Sequence, residues 1–284
     1  MTTAASLARS VLGSDARLRP VGGGDINVAF RAETPDGPVF IKCHPDPPAG
    51  MFEAEASGLR ALRRHAPADL GVPEVVRVHP HGLVLEWIEP ARPSATTDAG
   101  FGRDLAALHR ATSDAFGGID GSTGGYLGSA RIDLAPGTDW PDTYVRHRVE
   151  PLVRQAVRAH RLAPDAVTLL DRAAARAEEW CGPPEPPTLI HGDLWAGNRM
   201  VGQDGRNWLI DPAAQWAHRE LDIAMMSLFG GFDGCFAAYT EAYPLGDGWR
   251  ERVDWYQLPP LLVHAILFGG GYGDRARTVL QRRA

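Results

Sequence analysis

The stretch HGDLWAGN, residues 191–198, places an aspartate and an asparagine five positions apart. In phosphoryl transfer, an acidic loop residue takes the proton of the substrate hydroxyl, and an asparagine five positions later binds Mg²⁺. Asp193 and Asn198 have this spacing, and we expect Gly197 to let the loop reverse direction between them. An ordinary surface turn rich in Asp and Asn is the alternative interpretation.

A second metal ligand is needed, because Mg²⁺ prefers a few carboxylate or amide oxygens completed by phosphate oxygens and water. Asp211 follows the apolar WLI at the end of a predicted hairpin. We therefore predict Asp193 as the catalytic base, with Asn198 and Asp211 as Mg²⁺ ligands. His191, two residues before the base, is interpreted as orienting the loop.

A lysine and a glutamate in the first part of the chain indicate a site that would hold the phosphates opposite this loop. Lys42 lies inside the apolar strand VFIKC, where its two neighbours face the other way. Glu55 falls on the apolar stripe of the next helix, and a buried carboxylate needs a partner. A strand lysine paired with a helix glutamate positions phosphates in the protein-kinase-like fold. For the lysine alone, a side chain reaching to solvent is the alternative.

The glycine cluster in GGGDIN, residues 22–27, lies between two predicted strands. Backbone N–H groups of Gly22, Gly23 and Gly24 would approach phosphates closely. A hairpin that is rich in glycine for other reasons is the alternative.

The stretch LVLEWIEP, residues 83–90, ends the predicted sheet. In a two-lobed kinase this segment is the hinge, and we predict that adenine bonds to backbone groups of Glu86, Trp87 and Ile88. A plain edge strand is the alternative.

Positioning these residues requires two lobes with a ligand cleft between them. Residues 1–89 predict a nucleotide-binding lobe of antiparallel strands with one helix, and residues 90–284 predict a mostly helical catalytic and substrate lobe with one inserted hairpin. The prediction is an α+β, two-lobed protein-kinase-like fold with a small antiparallel-sheet N-lobe and a larger helical C-lobe. PARPSATTD, which begins at Pro90, is interpreted as a linker, and residues 114–138 as a long irregular loop.

Two acidic residues, Glu220 and Asp222, begin a predicted apolar helix in the C-terminal part. We favour the interpretation that they suit the helix dipole over the alternative that one of them braces the catalytic loop.

Composition excludes several classes of protein. The 284 residues carry a formal charge of −6, which argues against a nucleic-acid partner. The three cysteines are scattered, which fits a reducing cytoplasm. The N-terminus does not resemble a signal peptide, and no apolar run reaches the ~18 residues of a membrane span. We expect a cytoplasmic protein without a membrane or nucleic-acid partner, of unknown oligomeric state with a monomer favoured.

Several motifs resemble the fructosamine kinase (ketosamine 3-kinase) family, in the aminoglycoside phosphotransferase/choline kinase branch of protein-kinase-like enzymes. They are HGDLWAGN, LIDPA at 209–213 and AHRELDIAM at 217–225. FEAEASGLRAL, FGGFDGCFAAYTEAYPL and YQLPPLLVHAILFGGGY extend the likeness nearly end to end. The Trp after HGDL, and DPA where the wider superfamily has Asp followed by Phe or Trp, favour this family.

The resemblance implies ATP-dependent phosphorylation of O3 of a ketosamine, free or protein-bound, with Mg²⁺, which promotes deglycation. It implies the roles proposed above for Asp193, Asn198 and Asp211, and phosphate contacts for Lys42 and Glu55. Trp195 either stacks on the sugar or packs the loop. The chain departs from the family at Asp25, where many members have Cys, and in YLGSARID, where Arg131 and Asp133 replace amides.

Two other functions remain open on the sequence alone. One is another small-molecule phosphotransferase, of the aminoglycoside, homoserine or choline type. The other is a non-catalytic nucleotide-binding module.

Overall fold

The computed structural model of the protein describes residues 3–22 and 26–284. The elements of its first part are α1 (Ala4–Leu12), β1 (Arg17–Val21), β2 (Val28–Thr34), β3 (Gly37–Cys43), α2 (Met51–His65), β4 (Leu70–Gly71), β5 (Val75–His79), β6 (Gly82–Glu86) and β7 (Pro90–Ala91).

The remaining elements are mostly helical, with short strands between them. They are α3 (Ala95–Leu108), β8 (Gly117–Gly118), β9 (Gly124–Leu127), β10 (Ala130–Asp133), α4 (Trp140–Thr143), α5 (Glu150–Arg158), α6 (Ala166–Ala174), α7 (Ala177–Cys181), β11 (Thr188–Ile190), β12 (Arg199–Gly202), β13 (Asn207–Leu209), β14 (Gln215–Ala217), α8 (Glu220–Phe229), α9 (Asp233–Ala242), α10 (Trp249–Tyr256), α11 (Leu258–Phe268) and α12 (Tyr272–Arg283). A π-helical turn, Tyr144–Val149, joins α4 to α5.

The N-terminal lobe is an antiparallel sheet of order β1-β2-β3-β6-β5 with one helix on each face. Ile41 and Cys43 of β3 are fully buried in a cluster that includes Ala8 and Val11 of α1. Because side chains alternate along a strand, Lys42 between them faces the opposite side, toward α2. The sheet thus aims one basic side chain at the cleft. This confirms the two-lobed fold of mixed α and β structure.

The helix α1 was not among the elements predicted from the sequence. Thr3 caps this helix by accepting a hydrogen bond from the N–H of Ser6, and Gly13 ends it with a left-handed backbone. Its apolar side packs on the sheet through Ala8 and Val11. The prediction of one helix in the first ninety residues was therefore wrong.

A second sheet, of order β4-β13-β12-β7, is built from both parts of the chain. β4 pairs in parallel with β13, and β7 pairs with β12, the two strands of the predicted hairpin. The presumed linker is therefore short, because β7 takes up its first two residues and Ser94 already caps α3. The division between residues 89 and 90 stays a prediction, and it falls between β6 and β7.

The segment 114–138 is not an irregular loop. It contains β8, which pairs with β14, and a hairpin of β9 and β10. Its strands are only two to four residues long, and β8 and the start of β9 are glycine, so they lack the alternation that marks a strand in sequence. None of the described helices is long and apolar enough to cross a membrane.

Candidate active site

The HGDLWAGN loop leaves the buried end of β11 and turns sharply at Gly192. This glycine has a φ of +81°, and a Cβ there would lie 2.1 Å from the carbonyl oxygen of Ala213. The turn that aims Asp193 into the cleft therefore requires glycine.

Gly197 has a different role from the one the sequence predicted. It lies in the 3₁₀ turn Ala196–Asn198, outside the left-handed region, so it does not reverse the chain by positive φ. The indole of Trp195 covers its Cα, and a Cβ would come within 2.2 Å of the ring. Gly197 therefore provides the space that the Trp195 ring occupies.

The backbone of the loop is held in place by hydrogen bonds to Asp222 on α8. Its carboxylate accepts the backbone N–H of His191 at 2.7 Å and that of Gly192 at 2.8 Å. The fully buried His109 lies against the same carboxylate, with its Nε2 at 3.3 Å. The interpretation that both Glu220 and Asp222 only suit the helix dipole was wrong. Asp222 fixes the catalytic loop, while Glu220 pairs with Arg252 at 2.6 Å.

His191 orients the loop, as we expected. Its ring is fully buried, and its Nε2 lies 3.0 Å from the carbonyl oxygen of Ile210, which can only accept. The other ring nitrogen, Nδ1, then accepts the backbone N–H of Asp193 at 3.2 Å. One imidazole thus ties the loop of Asp193 to the strand that leads to Asp211.

Asp193 and Asn198 meet directly. The Nδ2 of Asn198 donates to the backbone oxygen of Asp193 at 2.8 Å and to its Oδ2 at 3.1 Å. The amide oxygen of Asn198 therefore stays free for another partner. Burial, together with the nearby Asp211 carboxylate, raises the pKa of Asp193 to about 7.

Lys42 joins the two lobes at the cleft. Its Nζ lies 2.8 Å from Oε2 of Glu55 on α2 and also contacts Oδ1 of Asp211. Burial alone would lower the pKa of Lys42, but the carboxylates of Asp211 and Glu55 outweigh it and raise that pKa. Asp211 itself has a φ of +57°, a conformation uncommon for residues other than glycine. The structure thus brings Lys42, Glu55 and Asp211 together, although 169 positions separate the lysine from the last.

The remaining predicted nucleotide residues lie at the end of β1 and at the hinge. Gly22 follows β1, with open space where a Cβ would be, and Gly23, Gly24 and Asp25 lie outside the described residues. The N–H of Glu86 is already bonded to the carbonyl oxygen of Glu74 at 2.9 Å.

The side chains of Glu86 and Trp87 at the hinge are bonded to other protein groups and do not indicate a contact with the nucleotide. The carboxylate of Glu86 accepts the N–H of Glu74, and the indole of Trp87 donates to Glu89. Any adenine contact at this segment would therefore fall to backbone groups of Glu86, Trp87 and Ile88 other than the N–H of Glu86.

Trp195 lies beside the base on the catalytic loop and is 40% exposed. Its ring makes an edge contact with Phe229 at the end of α8, with ring centroids 6.2 Å apart. Neither Arg131 nor Asp133, the departures noted in the sequence, belongs to this cluster. Asp133 bonds the ring of His147, and Arg131 is exposed on β10.

The sheet lobe with its Lys–Glu pair and the helical lobe with its HGDxxxxN loop define an ATP-dependent phosphotransferase of the protein-kinase-like fold. Comparison with an aminoglycoside phosphotransferase solved with AMP-PNP and hygromycin B supports this fold. The TM-score is 0.63 over 97% of this chain and 94% of that one, at 16% identity.

Within that class the chain belongs to the fructosamine kinase family, whose profile matches residues 2–283. A probable ketoamine kinase of Enterococcus faecium is 35% identical over 93% of this chain and 94% of that protein. The chloroplastic protein-ribulosamine 3-kinase of Arabidopsis thaliana is 30% identical over 93% and 81%. The crystal structure of a candidate fructosamine-3-kinase from Thermobifida fusca has a TM-score of 0.86 and 37% identity, covering 100% and 99%.

Proposed function

We propose that the protein transfers the γ-phosphoryl group of MgATP to O3 of a ketosamine such as ribulosamine or fructosamine. The observation that carries the proposal is that the Asp193–Asn198 pair and the Lys42–Glu55 pair meet at Asp211. Its backbone oxygen lies 3.4 Å from Nδ2 of Asn198, and its carboxylate contacts Lys42. The family relationship and the names of its relatives support the ketosamine as acceptor.

Asn198 and Asp211 would hold Mg²⁺. The free amide oxygen of Asn198 and the half-exposed carboxylate of Asp211 are hard oxygen ligands, which suit this ion. No three carboxylate, thiol or imidazole side chains gather into a metal site in the described chain. This fits an ion that takes its other ligands from phosphate and water. When bound, the ion would neutralise charge on the transferred phosphoryl group.

The protein's own residues would contribute to catalysis mainly by positioning the phosphates and the acceptor hydroxyl. Lys42 would hold the phosphates from the N-terminal lobe, kept charged and in place by Glu55. Asp193 would orient the O3 hydroxyl and accept its proton, and a carboxylate with a pKa near 7 suits that task at neutral pH. Backbone groups of Glu86, Trp87 and Ile88, apart from the bonded N–H of Glu86, would hold adenine, and Trp195 would stack on the sugar.

A panel of acceptors tests the proposal. Purified protein with MgATP is expected to form ADP with ribulosamine, fructosamine or erythrulosamine, and ³¹P NMR should show a sugar phosphate ester. Turnover of choline, homoserine or kanamycin without any ketosamine would favour a different phosphotransferase. ATP binding without turnover on any acceptor would favour a non-catalytic module.

Lys42 is the only lysine in the sequence, which allows a sharp test of its role. Protein labelled with [ε-¹³C]lysine is expected to give one side-chain signal, and MgATP should shift it because phosphates replace part of the carboxylate environment. Lys42→Met should lower kcat/KM for ATP by about 10²–10³, the usual loss when one charge-stabilising donor is removed.

Two observations would contradict this assignment of Lys42. One is an unshifted lysine signal at ATP concentrations that saturate turnover. The other is a Lys42→Met protein with wild-type kcat/KM. Arg206→Met is the matched control, because Arg206 is a partly exposed cation of the β12–β13 turn that pairs with Asp204 and stacks on Trp208, away from the active site.

The cellular setting that we propose is the reducing cytoplasm. The thiols of Cys43, Cys181 and Cys235 are all buried and free, and burial raises the pKa of each. Unreactive thiols of this kind need no disulfide partner.

A further inference from the structure

A row of aromatic side chains leads away from the catalytic loop. The ring of Phe229 lies 6.2 Å from that of Trp195 and 5.3 Å from that of His264 on α11. His264 in turn lies 5.5 Å from Phe268 and 5.0 Å from Tyr272, measured between ring centroids. We call these five side chains the aromatic row.

Several side chains of the aromatic row are exposed to solvent, unlike aromatic side chains packed in a protein core. Among the described residues five large apolar side chains are exposed, and three of them belong to the row: Trp195 at 40%, Phe229 at 43% and Phe268 at 49%. Single exposed apolar residues are common, but a contiguous patch marks a binding surface. The other two, Val28 and Val76, lie in the N-terminal sheet.

The row runs from Trp195 on the catalytic loop to α11, which touches the β9–β10 turn. A Cβ on Gly128, in the β9–β10 turn, would lie 3.2 Å from Leu267 of α11 and 2.9 Å from Ile26. The segment YLGSARID, where the chain departs from the family, therefore touches the helix that carries His264 and Phe268. A molecule seated at Asp193 that extends past Trp195 would meet the row.

The aromatic faces of the row, not a charged group, favour a cationic or neutral occupant. The Nδ1 of His264 donates to the carbonyl oxygen of Pro260 at 2.7 Å, and burial lowers the pKa of this ring. The Arg275 guanidinium on α12 lowers this pKa further, so the ring is neutral near pH 7. Faces of Trp, Phe and Tyr attract ammonium groups within about 6 Å.

We propose that the aromatic row binds the amine-borne arm of the ketosamine, with the protonated secondary amine at Trp195 and an alkyl or aryl carrier along Phe229 and Phe268. This rests on the proposed function. With bonds of about 1.5 Å, the amine nitrogen lies only a few bonds from O3, so a sugar reacting at Asp193 brings it near the adjacent Trp195. The next carbons of the carrier then reach Phe229.

The test compares carriers on one sugar. Ribulosamines of methylamine, hexylamine and benzylamine are assayed with MgATP, and the ratio of kcat/KM for benzylamine over methylamine is the readout. The wild type should prefer the long and aryl carriers, mainly through a lower KM. Phe229→Ala and Phe268→Ala should each reduce that ratio about three- to tenfold, which is the worth of one aromatic contact.

Val76→Ala is the control, because Val76 is also an exposed apolar side chain, at 56%, but lies on the other lobe, and it should keep the wild-type ratio. Phe268→Leu keeps an apolar side chain, so its kcat/KM ratio should fall between those of the wild type and Phe268→Ala. This variant tests the row even if the alanine variant does not fold. A wild type that phosphorylates all three carriers equally would overturn the assignment of the row alone. A wild type that phosphorylates none would overturn both this inference and the proposed function.

Discussion

Asp193→Asn is expected to lower kcat by about 10²–10⁴, the range that general-base catalysis contributes. The amide keeps the size of the side chain and can still accept the hydrogen bond from Asn198, but it cannot take the O3 proton. KM for ATP should change little, because the nucleotide phosphates are held from Lys42 in the other lobe. Steady-state kinetics with a saturating ketosamine measures both quantities.

The same variant should not lose stability. Burial and the Asp211 carboxylate already disfavour the charged form of Asp193, so a neutral amide removes that cost. Without added metal, the melting temperature should therefore equal or exceed that of the wild type. Asp171→Asn, the same change at an exposed position on α6, is the control. Wild-type turnover by Asp193→Asn would show that another group accepts the proton.

The parts of the site carried by local patterns could be predicted from sequence. Lys42 interrupts an apolar strand and Glu55 interrupts the apolar stripe of a helix, and each needs a partner for its buried charge. The five-residue interval between Asp193 and Asn198 is also local. The structure brings these pairs into contact at the distances of an ion pair and a hydrogen bond.

Other parts depend on contacts that no local pattern records. Gly197 and Gly192 look alike in sequence, but only the structure shows which one has positive φ and which one lies under an indole. The strands between residues 117 and 133 are too short for a periodic signal. They form because β8 pairs with β14 and because β9 and β10 pair with each other. The aromatic row joins Trp195 to α11, some seventy positions away.

Asp222 shows most clearly why the sequence interpretation failed. An acidic residue in the first turn of a helix suits the helix dipole, and that effect is worth about 0.3–1 kcal/mol. Nothing near Asp222 in the sequence indicates that two backbone N–H groups, 30 and 31 positions away, and an imidazole, 113 positions away, converge on its carboxylate. The periodicity of apolar residues in the sequence does not indicate a long-range acceptor of this kind.

Asp222→Ala is therefore expected to destabilise the protein by about 3–5 kcal/mol, because each buried donor left unpaired costs about 1–3 kcal/mol. The N–H groups of His191 and Gly192 would lose their acceptor, and His109 would lose its partner. In a chain of this size the melting temperature should fall by roughly 10 °C. Differential scanning calorimetry and urea unfolding measure the loss.

Asp222→Asn separates the two explanations of this residue. If the carboxylate only suited the helix dipole, the amide would cost less than about 1 kcal/mol and leave turnover intact. If it braces the loop, the single acceptor oxygen of the amide can serve one of the two backbone N–H groups, and its NH₂ group opposes the other. The freed loop would then misplace Asp193, and an error of about 1 Å is enough to lower kcat a hundredfold. A fall in kcat that exceeds the loss of stability at the assay temperature is thus the result that identifies Asp222 as the residue that positions the base.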